Sequence, residues 1–323
     1  MTTSPLFRLR PSRASACLAG VAVSLCLASD GAAGDARTRV ILNGSPTPVV
    51  FNDGDSFRVL GGPMTGAKSR LSGFNTLESH GPVHQWGTWT AKELYVIAKM
   101  ATHFARDNVW ECTTDGKTDG YGRMLVFCPE LAKEQIRRGF AHAMSIGDEA
   151  ADAELLAIQR EAMAARRGMW AHGVPDYVLT SLHSIEEDTE DRGVYNRLVS
   201  TADGHSVKWR HEVKYDECQR VCHMTYAVDE GKCDEVVARL KREQAPLVAG
   251  LDDAALTKVV REFARHRHVT TPCPAAQQEP LQKLLLEWAA RGAFGSGAER
   301  EEACMVHIDF KRRYGAARAV CLR

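Results

Sequence analysis

The sequence lacks any excess of positive charge. Its 323 residues include 41 Lys and Arg and 41 Asp and Glu, so the formal net charge is zero. Proteins that hold polyanions through bulk charge are strongly basic, and this chain is excluded from that class. Affinity for an anionic partner would have to come from a few cations placed at one site. The hydrophobic content of 44% excludes a disordered chain and is typical of a globular protein.

The N-terminal region has no apolar run long enough for a typical transmembrane helix. Its apolar stretch, Ala14–Ala28, is shorter than the about 20 residues that a transmembrane helix needs. Arg8, Arg10 and Arg13 precede the stretch and small residues follow it, which is typical of a cleaved signal peptide. We expect residues 1–33 to be signal peptide and lead-in. The mature protein is expected to be secreted or periplasmic, without stable membrane insertion; an uncleaved anchor is the alternative.

Cysteine usage agrees with export. There are ten cysteines, two of which, Cys17 and Cys26, fall in the expected signal peptide. The remaining number is even, which in an exported chain predicts disulfides. Cys112 and Cys128 flank a turn-rich loop between two strands that we expect to pair, so we predict a disulfide between them. In the chain-entropy description, closing a loop of about 15 residues contributes roughly 3 kcal/mol.

Short strands followed by helical patterns make up the first half of the chain. Alternating apolar residues and turn signals predict a meander of strands, and apolar spacings of three and four predict helices. Five short strands with interposed helices favour an α+β fold built on a five-stranded OB-type β-barrel with three helices. The expected strands are Arg39–Leu42, Val49–Phe51 with its extended continuation Ser56–Leu60, Lys68–Phe74, Val109–Cys112 and Arg123–Cys128. The expected helices are one that is capped by Thr88 or Thr90 and runs to about Arg106, then Leu131–Arg138 and Asp148–Arg167.

Polar side chains cluster at the ends of two of these strands. Hydrolysis of a phosphodiester needs oxygen ligands for a hard metal ion, guanidinium groups that bind the phosphate, and a carboxylate that does not bind the metal. An arginine in the segment Tyr121-Gly-Arg123 supplies a second cation. The sequence therefore predicts a metal-dependent nuclease. The candidate residues around the strand ends are Asp53, Asp55, Arg70, Asn75, Thr76 and Glu78.

The same segments, taken together, resemble the staphylococcal nuclease (thermonuclease) family over about residues 49–172. The order of the segments is that of the family, and so is the spacing from Arg70 through Thr76 to Glu78. The segments are Asp53-Gly-Asp55-Ser56, Arg70-Leu71, Thr76-x-Glu78, Tyr121-Gly-Arg123, Arg138-Gly-Phe-Ala141 and Gly168-Met-Trp170.

The resemblance implies a five-stranded OB barrel and Ca²⁺-dependent hydrolysis of DNA and RNA. By matching position, the carboxylate of Asp55 and the backbone carbonyl of Thr76 would bind the metal, with Asn75 as a third ligand. Tyr121 would line the substrate groove. The catalytic residues would be Arg70 and Arg123, which bind the scissile phosphate, and Glu78, which orients or deprotonates the attacking water.

This chain departs from the family pattern at two positions. Asn75 stands where the family usually has aspartate, and Leu77 stands where it has proline. Asparagine keeps an oxygen but loses a negative charge, and Ca²⁺ affinity follows ligand charge, so we expect weaker binding or a changed metal preference. The alternative function is a non-catalytic OB module that binds nucleic acid or protein. For Asp53, a turn cap and support of the metal site stay open.

The composition changes after Pro175. We expect a nuclease-like domain over residues 34–175, an acidic linker over 176–193 and a smaller disulfide-rich α+β domain of unknown function over 194–323. In that last domain we expect a closing hairpin and, across it, a Cys304–Cys321 disulfide; three pairings of Cys218, Cys222, Cys233 and Cys273 stay open. A further alternative makes this domain the functional part. Its expected elements are the hairpin strands Val194–Ser200 and His205–Lys214, helices near 234–244, 252–266 and 279–291, and the closing strands Met305–Phe310 and Ala316–Cys321.

Overall fold

The computed structural model describes residues 38–188, 194–309 and 319–322. The predicted signal peptide lies outside these residues, as do residues 189–193 of the predicted acidic linker. The same holds for Tyr314 and Gly315, the predicted turn of the closing hairpin. Within the described ranges, no helix combines the length and apolarity needed to cross a bilayer.

The first half of the described chain contains nine strands. A four-stranded sheet has the order β3-β2-β1-β7, in which only the β1–β7 pair is parallel. Two separate ladders join β4 to β8 in parallel and β5 to β9 antiparallel. The strands are β1 Thr38–Leu42, β2 Ser45–Asp53, β3 Ser56–Val59, β4 Ser69–Leu71, β5 Phe74–Thr76, β6 Val83–Gln85, β7 Trp110–Cys112, β8 Met124–Val126 and β9 Ala141–Ala143.

The described ladders do not join into the closed five-stranded barrel that we expected. Six of the nine strands, β4 to β9, are only three residues long, so the ladders that they form are short and stay separate. One isolated bridge, Arg58 to Lys68, links β3 to the start of β4. The strands β7 and β8 were expected to pair along their length, yet only the bridge Thr113–Phe127 joins their ends. Mixed α+β architecture is thus confirmed, whereas closure of the barrel is not.

Three helices cover these sheets, as the sequence predicts. They are α1 Ala91–Arg106, α2 Pro129–Arg137 and α3 Ala153–Ala164. Thr90 begins α1 through a capping box with Glu93, which explains why the helix starts there. The third helix starts later than predicted because Asp152 caps it by accepting from the backbone N–H groups of residues 154 and 155.

The second half of the chain, within its described ranges, contains five strands and three helices. The β11–β12 hairpin is present where the sequence predicts it, and β10 extends it to a three-stranded sheet. The helices pack around their own core, which includes Phe263 and Leu285. The elements are β10 Tyr177–Ser181, β11 Val194–Ser200, β12 Ser206–His211, β13 Arg220–Tyr226, β14 Glu299–Val306, α4 Glu230–Glu243, α5 Asp253–His266 and α6 Ala275–Ala290.

The disulfide between Cys112 and Cys128 is present, as the sequence predicts. The predicted Cys304–Cys321 disulfide is wrong. The last long strand, β14, pairs with β13 and not with a closing strand, and this register places Cys304 directly opposite Cys222, to which it is bonded. Cys321 is bonded to Cys218 instead. Contrary to the pairings left open by the sequence, Cys233 and Cys273 are free and buried.

One sheet and one core cross the predicted domain boundary. The strand β6, which belongs to the predicted nuclease-like half, pairs along its length with β14 near the C-terminus. A single apolar cluster contains Trp86 and Leu94 from the first half together with Leu198 and Met305 from the second. The division at 175 and 194 stays a prediction, but residues on its two sides stabilise each other.

We expect Met305→Ala to destabilise the protein as one cooperative unit. The Met305 side chain is fully buried in the shared cluster, and truncating such a methionine costs about 2–5 kcal/mol. Urea unfolding followed by tryptophan fluorescence should show one transition at lower urea. Leu286→Ala, at a leucine that is 44% exposed, is the control and should change the free energy of unfolding by less than about 0.5 kcal/mol. A second transition that Met305→Ala leaves in place would contradict the shared core.

Candidate functional site

The turn between β2 and β3 places Asp55 beside β5. The backbone N–H of Asp55 donates to Oδ1 of Asp53 at 3.2 Å, which is the turn cap that was one of two alternatives for Asp53. A Cβ on Gly54 would lie 2.6 Å from Cγ2 of Thr76 and 2.9 Å from Cβ of Ala101. Only glycine permits this close approach, so the turn is pressed against β5 and α1.

A buried ion pair joins Asp55 to Arg70. Nη1 of Arg70 lies 2.9 Å from Oδ2 of Asp55, and the two side chains are 12% and 5% exposed. The same oxygen accepts a hydrogen bond from the backbone N–H of Thr76 at 2.9 Å. Burial raises the pKa of Asp55 to about 6, and the Arg70 guanidinium acts against that rise. Each charge therefore depends on the other for its compensation.

Asn75 is the second partner of Arg70. Its Oδ1 accepts from Nη2 of Arg70 at 2.6 Å, and its Nδ2 donates to the carbonyl oxygen of Thr76 at 2.8 Å. Asn75 is 4% exposed, so these bonds replace those that water would make. The arginine is thus held by two acceptors, a charged one in the turn between β2 and β3 and a neutral one in β5.

His142 lies opposite Asn75 in the β5–β9 ladder and completes this network. Its Nδ1 is 3.1 Å from the carbonyl oxygen of Ala143, which can only accept, so Nδ1 carries the proton. Nε2 is then an acceptor, and Nδ2 of Asn75 lies 3.4 Å from it. Burial lowers the pKa of His142 to about 4, which keeps the ring neutral at pH 7. The sequence analysis missed this residue, because nothing local predicts which strand lies beside β5.

The three predicted metal ligands come together, and their donor chemistry fits a hard cation. Asp55, Asn75 and Thr76 offer a carboxylate, an amide and a carbonyl oxygen, and oxygen is the donor that Ca²⁺ prefers. Only one of the three is charged, and each already takes part in a hydrogen bond or ion pair described above. The set therefore fits a cation that competes with Arg70 and with the Asn75 amide for these oxygens.

Elsewhere in the described ranges, one group of three His, Cys, Asp or Glu ligand atoms lies within 4.8 Å of one another. It consists of Cys222, Glu301 and Cys304. Cys222 and Cys304 are bonded to each other as a disulfide, so their sulfurs are not thiolate ligands. This group is therefore not an alternative metal site to the predicted one around Asp55, and the described residues contain no other such group.

Glu78 lies two residues beyond the end of β5. The Glu78 side chain is half-buried. Burial alone would lower the pKa of Arg70, but the negative charges of Asp55, Asp53 and Glu78 outweigh burial and raise it. The predicted base is therefore close to the predicted phosphate ligand. Arg70 stays charged at any pH at which the fold is stable.

Arg123 is held by a carboxylate that the sequence analysis missed. Nε and Nη2 of Arg123 each lie 2.7 Å from Oδ2 of Asp119, and the Arg123 side chain is 35% exposed. Oδ1 of Asp119 accepts from the backbone N–H groups of Tyr121 and Arg123. The turn and the guanidinium are thus fixed by one aspartate. The spacing of four residues between Asp119 and Arg123 was the available signal.

Tyr121, the predicted groove residue, projects from this turn and is 64% exposed. Its hydroxyl lies 2.9 Å from the hydroxyl of Tyr195 on β11. Burial of the hydroxyl and this hydrogen bond raise the pKa of Tyr121 to about 12. The turn that carries Arg123 therefore touches the second half of the chain.

An α+β fold with two arginines held by carboxylates beside strand ends is suited to a protein that binds phosphate groups. Residues 68–172 match the model of a family described as staphylococcal nuclease homologue. This confirms the predicted resemblance over that segment, which includes Arg70, Glu78 and Arg123 but begins after Asp55. No curated protein matches the chain. The family match indicates a nuclease or nucleic-acid-binding function.

We expect Asn75→Asp to lower stability without metal and to increase the response to Ca²⁺. An aspartate oxygen in place of Nδ2 would face the Thr76 carbonyl and Nε2 of His142, which are both acceptors. An unmade buried hydrogen bond costs about 1–3 kcal/mol, and a cation between the oxygens would offset that cost. The free energy of unfolding should be measured in urea with Ca²⁺ and with EDTA.

The exposed Asn108 provides the control for this substitution. Asn108→Asp makes the same chemical change at a residue whose amide donates to the Phe104 carbonyl. It should leave the difference between Ca²⁺ and EDTA unchanged. An equal Ca²⁺ response in wild type and Asn75→Asp would show that residue 75 does not contact the metal.

Proposed function

We propose that this protein is a secreted or periplasmic nuclease that hydrolyses phosphodiester bonds in DNA and RNA with the help of a divalent cation. The observation that carries the proposal is the buried arrangement of Arg70 between Asp55 and Asn75, with Glu78 nearby. The family match over residues 68–172 supports the same reaction class. The disulfides support export, because such bonds persist in oxidising compartments.

Arg70 and Arg123 would bind the nonbridging oxygens of the scissile phosphate. Each guanidinium has a carboxylate partner, Asp55 or Asp119, that fixes its orientation before substrate arrives. Charge accumulates on these oxygens when water adds to phosphorus, and donors fixed in advance stabilise that charge. Loss of one such donor typically costs on the order of 10²–10³ in rate.

Glu78 would accept a proton from the water whose oxygen attacks phosphorus. An ionised carboxylate within a hydrogen bond or one water of that proton is the requirement for a general base. A Ca²⁺ ion held by Asp55, Asn75 and Thr76 would supply additional positive charge to the phosphate. Tyr121, exposed at the edge of the Arg123 turn, would contact the substrate strand.

A non-catalytic nucleic-acid-binding module is the second candidate. The observation that favours it is the complete set of bonds made by Asn75, which leaves the predicted metal ligands satisfied without a metal. In that case the two arginines would still bind phosphate, and hydrolysis would be absent. The two candidates therefore differ in turnover and agree on the ligand.

Cleavage assays with Glu78→Gln separate the two candidates. The protein, prepared with its disulfides intact, is incubated with denatured DNA or RNA in Ca²⁺ or in EDTA. We expect cleavage in Ca²⁺ only, and a fall in kcat on the order of 10²–10⁴ for Glu78→Gln because the base is lost.

The control for this assay is Glu111→Gln, which makes the same change at an exposed position on β7 and should retain full activity. Binding of the nucleic acid without cleavage in Ca²⁺, Mg²⁺ and Mn²⁺ would reject the enzyme and support the binding module.

A further inference from the structure

The β11–β12 hairpin presents a basic face beside the candidate site. Residues two apart on a strand share a face, so Tyr195 and Arg197 lie on the same side of β11. Their partners across the ladder are Arg210 and Lys208. Lys208 is exposed and lies over the Tyr195 ring at 5.1 Å from its centroid. In a chain of zero net charge, Arg197 and Lys208 beside this tyrosine form a local concentration of positive charge.

This face meets the predicted phosphate-binding residues. The hydroxyl contact between Tyr121 and Tyr195 joins the hairpin to the turn that carries Arg123. Arg197 lies close enough to Arg70 and Arg123 for both charges to disfavour its protonated form. Its pKa is lowered first by burial and then by these two guanidinium groups, against the opposing effects of Tyr195 and Tyr121. The guanidinium carbons of Arg123 and Arg197 each lie 5.6 Å from the ring centroid of the tyrosine on their own side of this hydroxyl contact. The contact therefore brings these two arginines, from the two halves of the chain, towards each other.

Arg197 differs from the other two arginines because no carboxylate among the described residues balances its charge. Arg70 is paired with Asp55 and Arg123 with Asp119. Within the described part of the chain, Arg197 makes no ion pair, and its Nε is buried without a hydrogen-bond partner. Its guanidinium carbon lies 5.6 Å from the centroid of the Tyr195 ring. A half-buried cation beside two like charges is unfavourable unless an anion joins it.

We propose that Arg197 binds a second backbone phosphate of a nucleic-acid strand whose neighbouring phosphate is held by Arg70 and Arg123. A phosphodiester carries one negative charge, and the carboxylate-paired arginines accommodate the scissile one. The charge of Arg197, which no carboxylate of the described residues balances, can pair with one further phosphate. The exposed Lys208 lies beside Arg197 on the same basic face. The favoured ligand is thus a polynucleotide with consecutive phosphates. The proposal rests on nucleic-acid binding at the proposed site and does not depend on turnover.

The test compares ligands with one phosphate and with many. Binding of a fluorescent single-stranded oligonucleotide and of a dinucleoside monophosphate is measured over a range of salt in the Glu78→Gln background, which prevents cleavage. Arg197→Gln should weaken binding of the oligonucleotide by roughly tenfold or more, because a charged hydrogen bond is lost. It should also reduce the slope of log K against log salt by about 0.7, the value for one phosphate contact in a single strand. Binding of the dinucleoside monophosphate should not change.

Two controls separate a binding role from a structural one. Arg242→Gln removes the same charge from α4, where Arg242 pairs with Glu243, and should alter neither ligand's affinity. Thermal unfolding of Arg197→Gln should occur at the same temperature as wild type or higher, because like-charge repulsion with Arg70 and Arg123 is relieved. Arg197→Lys should restore part of the affinity and of the salt slope.

The outcomes distinguish this proposal from the proposed function. Cleavage by the wild type together with unchanged oligonucleotide affinity in Arg197→Gln would overturn the role of Arg197 alone. An equal loss for both ligands, or a lower unfolding temperature, would also overturn it. Absence of cleavage with Arg197-dependent binding would reject the enzyme and support the second phosphate site. Absence of oligonucleotide binding by the wild-type site would overturn both.

Discussion

The buried ion pair between Asp55 and Arg70 is the interaction on which the candidate site depends. A charge in the interior is stable only when it is paired and its remaining polar atoms are satisfied. The Thr76 N–H and the Asn75 amide complete that requirement. The glycine turn between β2 and β3, the short strand β4 and the end of β5 are held together at this point. Removal of either charge would leave the other buried and uncompensated, so the proposed function and the local stability depend on the same two side chains.

Asn75 is consistent with its surroundings in a way that the sequence does not reveal. The residue donates to an acceptor carbonyl and to a neutral imidazole and accepts from an arginine. An aspartate could satisfy only the arginine and would need a cation or a proton at its other contacts. Asparagine in place of aspartate is expected to weaken metal binding because a negative charge is lost. The same asparagine makes more hydrogen bonds than an aspartate would when no metal is bound. Stability without metal and affinity for metal are opposed at this position.

Local signals predicted much of the fold and most of the residues that the structure groups around Arg70. The threonine cap of α1, the hairpin β11–β12, the Cys112–Cys128 disulfide and the grouping of Asp55, Arg70 and Asn75 all follow from residues close in sequence or from a motif. What failed depends on pairing between distant segments. Nothing near Cys304 indicates that β14 lies between β13 and β6, and this arrangement decides its disulfide. His142 and Asp119 were missed for related reasons, since one acts across a ladder and the other looks like an ordinary loop carboxylate.

The zero net charge has a different meaning once the positions of the charges are known. Arginines with carboxylate partners are fixed in orientation but add little net attraction, whereas an arginine without one adds attraction and costs stability. The site combines both kinds, with Arg70 and Arg123 in the first group and Arg197 in the second. The second kind comes from the half of the chain that the family match does not cover. Under the function that we propose, a chain without bulk positive charge would hold a polyanion in this way, because the attraction would be concentrated at a few arginines.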